Sequence, residues 1–231
     1  MKIWIVASSE TELAQLKTDL NARRFGTAGG LPFYAGSFGN SEIYLGVTGV
    51  GVTAAALALG AFLATVPVDQ AIMVGSSGAF PDSGLAVGDV AIATSETLAE
   101  LGLCSGRGVG DAHALRLQGL DQTLSLDQQL ADALVQSAQK TGCVRMGPFL
   151  SVVGVSDSED QATARASRFR TIAENMEGYA LALASQRFGL RVGEVRGISN
   201  IAGARDKSVW NLDLANMRVQ ETVLNYLRRV L

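Results

Sequence analysis

Short apolar runs of strand length alternate with helical stretches along most of the chain, and that alternation limits the fold more than any other feature. "KIWIVA" (residues 2–7) reads as a buried opening strand, and Glu10–Leu20 as a helix with Leu13, Leu16 and Leu20 on one face. "LPFYAGSFGNSEIYLGVTG" reads as a hairpin that turns at Gly39-Asn40. A helix is expected from about Val52 to Thr65, then a strand in "DQAIMVGSSG" running into a glycine-rich loop, and another strand in "VGDVAIAT". An irregular segment follows from Leu98 to about Leu124, with scattered glycine and no sustained period. Beyond it come a helix near Asp127–Gln139, strand material from Val144 to Val155, and a helix from about Glu159 capped by Ser158. A helix in "AENMEGYALALASQRFGL", the strand "RVGEVRGIS" and a C-terminal helix complete the series. With 231 residues, 48% of them hydrophobic, the chain can bury a large core. The expectation is a single domain over residues 1–231, α/β in class, with three layers in the order α/β/α.

The same residues exclude several roles. Nineteen basic against 22 acidic side chains give a net charge of −3 with no long basic run, so nucleic acid is not an expected partner. "MKIWIVASSETEL" turns polar by Ser8, too soon for a secretion signal, and "AAALALGAFLA" is too short for a membrane span. The expected setting is the cytoplasm, without membrane contact. Cys104 and Cys143 lack the paired spacing of a zinc or dithiol motif and are expected as free thiols. His113 is the single histidine and lies in the irregular segment, so neither a histidine triad nor a metal site is expected, and no cofactor is implied.

Three glycine-bearing stretches compete for the chemistry. "GVGVTA" from Gly49 fits G-x-G-x-x-A, a turn that brings backbone N–H groups to an anion at a helix N-terminus. A dinucleotide fold also needs an acid closing the next strand, yet Asp69 precedes "AIMVG", so close helix packing is the better reading. "VGSSGAF" (Val74–Phe80) offers small residues at the carboxyl end of a strand, where open sheets bind ligands; a tight structural loop explains it equally well. The third stretch joins "AENMEGYALALASQRFGL" to "GEVRGISNIAGARDKSVW". Glu194 and Arg196 share a face of a strand that otherwise reads as buried, which is costly unless they compensate each other. Glu177 is either a first-turn acid favoured by the helix dipole or a carboxylate offered to a ligand, and helical spacing sets it above Ala180, Leu181, Ala184 and Phe188.

Over essentially its whole length the sequence resembles the nucleoside phosphorylase and nucleosidase superfamily. "ENMEGYALALASQRFGL" is similar to that family's ribose-binding segment, "VGSSGAF" to its Gly-Ser-x-Gly loop, and "RGISN" to its purine-binding strand end. The N-terminus resembles the nucleosidase branch. Together with "EVRGISNIAGARDKSVW", the "ENMEG" segment looks like the futalosine hydrolases of menaquinone biosynthesis. The resemblance implies a central mixed, partly barrel-like sheet, a purine nucleoside substrate, and a homodimer or higher homo-oligomer. Phosphorylase relatives place an arginine where this chain has Met73, and a Gly-Asp-Pro with a nearby arginine where it has "ASSETEL". Phosphate would lack its cations here, so water is the expected nucleophile.

By resemblance, Glu12 accepts the proton of the attacking water, with Glu10 as a rival two residues away, and Glu177 holds the ribose hydroxyls with Met176 packed on the sugar. Ser76 and Gly78 belong to the substrate loop. Asn200 stands where adenine-specific relatives carry an aspartate; an amide, donor and acceptor at once, suits a 6-oxopurine. Arg205 and Trp210, beside Lys207, are candidates for the carboxylated aromatic tail of futalosine. Ser156 and Asp157 occupy the place of an aromatic that stacks on adenine, leaving Phe80 or a residue from the Leu98–Leu124 segment of a neighbouring subunit to cover the base. The alternatives are a methylthioadenosine/adenosylhomocysteine-type nucleosidase and a nucleoside-binding protein without catalysis.

Overall fold

A computed structural model describes residues 1–103, 110–138 and 143–231. Ten strands and six α-helices alternate among them: β1 (Lys2–Ala7), α1 (Ala14–Asp19), β2 (Arg23–Ala28), β3 (Leu31–Phe38), β4 (Ser41–Val47), α2 (Val52–Leu63), β5 (Gln70–Ala79) and β6 (Val90–Leu98) in the first half. The second half holds β7 (Thr123–Ser125), α3 (Gln128–Ala138), β8 (Val144–Ser151), α4 (Glu159–Phe169), β9 (Ala173–Asn175), α5 (Gly178–Phe188), β10 (Arg191–Ile201) and α6 (Leu212–Val230).

The sheet runs β10-β6-β8-β9-β5-β1-β4-β3-β2, and β10 also pairs with β5. That extra pairing closes β5, β9, β8, β6 and β10 into a five-stranded ring, while β1, β4, β3 and β2 extend from it as an open wing. The ring is mixed: β10 runs parallel to β5 and antiparallel to β6. Its closure gives the two longest buried strands a common carboxyl end, where Gly78 of β5 faces Asn200 of β10.

Helices cover both faces. On one side α1, α3 and α6 bury Leu16, Leu134, Val223 and Leu227 against Ile3, Ile5, Ile72 and Val195. On the other, α2 and α5 bury Leu59, Phe62 and Leu181 against Trp4, Met73 and Ile198, with Phe62 stacked on Trp4 at 4.0 Å between ring centres. This is the expected three-layer arrangement, and the Gly39-Asn40 hairpin and the Ser158 cap are present, the serine accepting from Gln161 N–H.

Four local expectations fail for physical reasons. The first helix opens as a 3-10 turn over Thr11–Leu13, and only Ala14–Asp19 is α-helical. "VGSSGAF" is not a loop: β5 continues to Ala79, because pairing with β10 and β9 satisfies its backbone on both edges. Residues 173–175 pair as β9 before α5 starts at Gly178, so Glu177 is the N-cap residue rather than a first-turn acid. Phe188, set at the foot of the Glu177 stripe, is half exposed. Two short strands, β2 and β7, went unread because each is held by its neighbour in the sheet rather than by its own pattern. Cys143 is exposed and free, and no helix among the described residues is long and apolar enough to cross a membrane. Cys104 and part of the Leu98–Leu124 segment lie outside the described residues.

Candidate active site

The carboxyl ends of β5 and β10 open into a cleft of about 650 Å³, part of it open to solvent. Its deepest feature is Arg196, which projects from β10 and is almost wholly buried. The guanidinium donates to Glu194 Oε1 at 2.8 Å, Met73 Sδ at 3.2 Å, Asn175 Oδ1 at 3.3 Å and Glu177 Oε2 at 3.4 Å. Burial works against its charge, but Glu194, Glu177 and Glu12 hold its pKa above the ordinary arginine value. The expected compensation between Glu194 and Arg196 is thus one bond in a larger network.

Glu12 closes the same cleft from the N-terminal side. Its Oε2 accepts from Ser8 Oγ at 2.6 Å and Ser9 N at 3.1 Å, and its Oε1 from Ser76 N at 3.2 Å. The 3-10 turn aims this side chain inward. Glu10 points the other way, half exposed, and is held by Lys17 and Tyr34 at 2.7 Å each. Both partners lower its pKa, Lys17 first. Only Glu12 of this pair lines the cleft.

Glu177 Oε1 accepts from Gly51 N at 2.9 Å. Gly51 has φ +95°, a backbone state that L side chains rarely adopt, and this is the use of the "GVGVTA" turn. Asn175 organises the segment: its Oδ1 accepts from Glu177 N at 2.9 Å and Gly178 N at 2.7 Å, and its Nδ2 donates to Glu96 Oε1 at 2.6 Å. Glu96 is fully buried, and burial pushes its carboxyl well above the usual range, with Glu194 adding to the shift. A side chain at Gly178 would collide with the carboxyl oxygens of both Glu96 and Glu194.

A cleft at the carboxyl ends of buried strands, lined by three carboxylates and one arginine, can now be set beside known proteins. A model of the family described as the Phosphorylase superfamily matches residues 2–231. The chain belongs to the phosphorylase superfamily. Among curated members of this superfamily, a futalosine hydrolase of Thermus thermophilus is 35% identical over 77% of each chain. A 5'-methylthioadenosine/S-adenosylhomocysteine nucleosidase of Colwellia psychrerythraea is 28% identical over 98% of this chain and 96% of its own. The solved nucleosidase of Neisseria meningitidis, in complex with methylthio-immucillin-A, shares the superfamily fold with a TM-score of 0.87 over 99% of each chain at 21% identity.

Of the residues singled out in the sequence, Glu12, Ser76, Gly78, Met176, Glu177, Asn200 and Trp210 all line the cleft. Arg205 does not; it is exposed and stands over the Trp210 ring at 5.4 Å. Asn200 sits at the end of β10, its Nδ2 donating to Ile201 O at 3.0 Å and its Oδ1 accepting from Ser199 Oγ at 2.8 Å. Phe80 cannot cover a base, because it is buried with Leu150, Val152 and Ala202 under the ring. The exposed apolar side chains that line the cleft are Val50, Val155 and Leu212. Ser156 faces inward, donating to both oxygens of Glu174. Sequence reasoning gave no role to Ser8, Asn175, Glu174 or Gly51. The one signal was the polar pair Glu174-Asn175 at the start of "AENMEG", which the helical reading left without a role.

Proposed function

We propose that the chain hydrolyses the N-glycosidic bond of futalosine, releasing hypoxanthine and dehypoxanthine futalosine, a step of menaquinone biosynthesis. The coarser activity is plain: the chain is an enzyme, a nucleosidase that cleaves N-glycosidic bonds with water. The observation that carries the finer reading is Asn200, a neutral amide at the end of β10 beside the side-chain-free Gly78. An amide can pair with the 6-oxopurine of hypoxanthine, and the 35% identity to a futalosine hydrolase supports the same base.

In this mechanism Glu12, aimed by Ser8, Ser9 and the Ser76 N–H, takes a proton from water as its oxygen bonds to ribose C1'. The C1'–N9 bond breaks, its electron pair leaves with the base, and the base takes up a proton from solvent. General-base help of this kind contributes about 10²–10⁴-fold. Glu177, fixed by Gly51 and Arg196, accepts hydrogen bonds from the ribose hydroxyls, and Met176 packs on the sugar. Asn200 donates to the base as negative charge builds there. Trp210 receives the aromatic tail at the mouth, with the Arg205 guanidinium above its ring for the tail carboxylate. Val155 covers the base in place of an aromatic.

A methylthioadenosine/adenosylhomocysteine nucleosidase is the second reading, favoured by the near-complete coverage of the Colwellia relative. The deciding assay offers futalosine, inosine and methylthioadenosine separately in phosphate-free buffer, with chromatography of the released base. Hypoxanthine from futalosine as the preferred product is the expected result. Adenine from methylthioadenosine as the preferred product would replace the first reading by the second.

A further inference from the structure

The cleft contains a carboxylate that the mechanism above leaves unused. Glu174 lies on β9 opposite Gly78 of β5, and Asn200 of β10 lies opposite the same glycine across the other edge of β5. Residues in register on neighbouring strands present their side chains to one face of the sheet. The row Glu174–Gly78–Asn200 therefore sets a carboxylate and an amide on either flank of a position that has no side chain. Strands about 4.8 Å apart put the outer two backbones about 10 Å apart, room for a flat base over Gly78 with a hydrogen bond at each edge. All three residues line the cleft, and a Cβ at Gly78 would stand 3.3 Å from Asn200 Nδ2.

Glu174 is held in place by donors. Ser156 N reaches Oε1 at 3.1 Å, Ser156 Oγ reaches Oε2 at 2.7 Å, and Arg165 Nη1 stands 3.5 Å from Oε2. The pKa of this carboxyl is raised, by burial first, with Ser156 and Arg165 opposing the shift. An ionised carboxylate accepts hydrogen bonds and donates none.

We propose that Glu174 is a specificity residue that accepts the N1–H of a 6-oxopurine, with Asn200 binding the opposite edge of the base across Gly78. The proposal rests on the nucleosidase reading and names the base it selects. A 6-oxopurine carries a hydrogen on N1, whereas N1 of a 6-aminopurine is a bare acceptor. That acceptor would face carboxylate oxygens in a buried pocket and stay unpaired, a mismatch that lowers binding by about tenfold or more.

The test compares kcat/KM for futalosine and its 6-amino analogue in the wild type and in Glu174→Gln. The wild type should prefer the 6-oxo nucleoside, and the variant, whose amide can pair with either base, should reduce that preference by about tenfold or more. An unchanged ratio in a folded variant overturns the proposal and leaves the nucleosidase reading intact. A wild type that cleaves neither nucleoside overturns the reading beneath it instead. Should E174Q fail to fold, inhibition of the wild type by free hypoxanthine and by 1-methylhypoxanthine decides the question. Loss of inhibition on methylation supports an N1–H contact, and equal inhibition overturns it.

Discussion

Arg196 and Arg165 are both nearly inaccessible to solvent, yet they serve opposite ends of the cleft in different ways. Arg196 belongs to a central strand and touches groups from β5, β9, β10 and the cap of α5. Arg165 rises from α4 and holds Gly154 O at 2.8 Å, Glu100 at 3.0 Å and Glu174 at 3.5 Å. Around Arg196 the acids outnumber the cation, and Asn175 links it to the buried Glu96, whose carboxyl burial pushes above the usual range. Around Arg165 one acid, Glu100, reaches solvent, and the arginine Nε has no partner among the described residues. The Arg196 end is thus a dry, over-determined charge network, while the Arg165 end is a carboxylate steadied from a neighbouring helix. In the proposed mechanism, preorganisation is greatest where charge develops during the reaction, and adjustable contacts lie where substrates differ.

Substitution should expose that contrast most strongly at the arginines. Arg196→Met strands Glu194 and Glu177 without a cation, and a loss of about 3–5 kcal/mol in urea denaturation is expected together with loss of turnover. Arg165→Met should lose less, about 1–3 kcal/mol, because Glu100 can turn to water. Equal losses would remove the distinction between the two ends.

A smaller effect concerns pH. Glu96 has a folded pKa raised above its unfolded value, so the native state binds more protons than the unfolded chain over that interval. Stability should therefore fall as pH rises from about 4.5, the ordinary value, toward the raised one. Glu96→Gln keeps an acceptor for Asn175 and should flatten the slope, as read by thermal unfolding across pH. A slope unchanged in the variant would mean that Glu96 is not the proton carrier.

The smallest effect is expected at Glu10. Its ion pair with Lys17 is on the surface, so Glu10→Gln should leave turnover and base preference as they were. A large loss of turnover there would return Glu10 to the mechanism.

The contrast between Glu10 and Glu12 also marks what was legible in the sequence. Both acids were visible, but a 3-10 turn in place of a full helix decides which of them faces inward, and that turn depends on contacts with residues far along the chain. The alternation of strands and helices was readable because each strand is apolar over its own length. The ring closure followed only from the family resemblance, since it needs β10 to pair with both β5 and β6. Phe80 and Arg205 were chosen for their chemistry, but packing buries one and leaves the other outside the cleft. Glu174 was quoted early yet given no role, because its meaning lies in the register of β9 against β5.

The most direct test of the water-activating role of Glu12 is a single turnover of futalosine in ¹⁸O-labelled water with inorganic phosphate present, wild type beside Glu12→Gln. The account predicts one ¹⁸O at sugar C1, no sugar 1-phosphate, and a variant that binds substrate but turns over about 10²–10⁴-fold more slowly. A sugar phosphate product, or a Glu12→Gln variant as fast as the wild type, would contradict it.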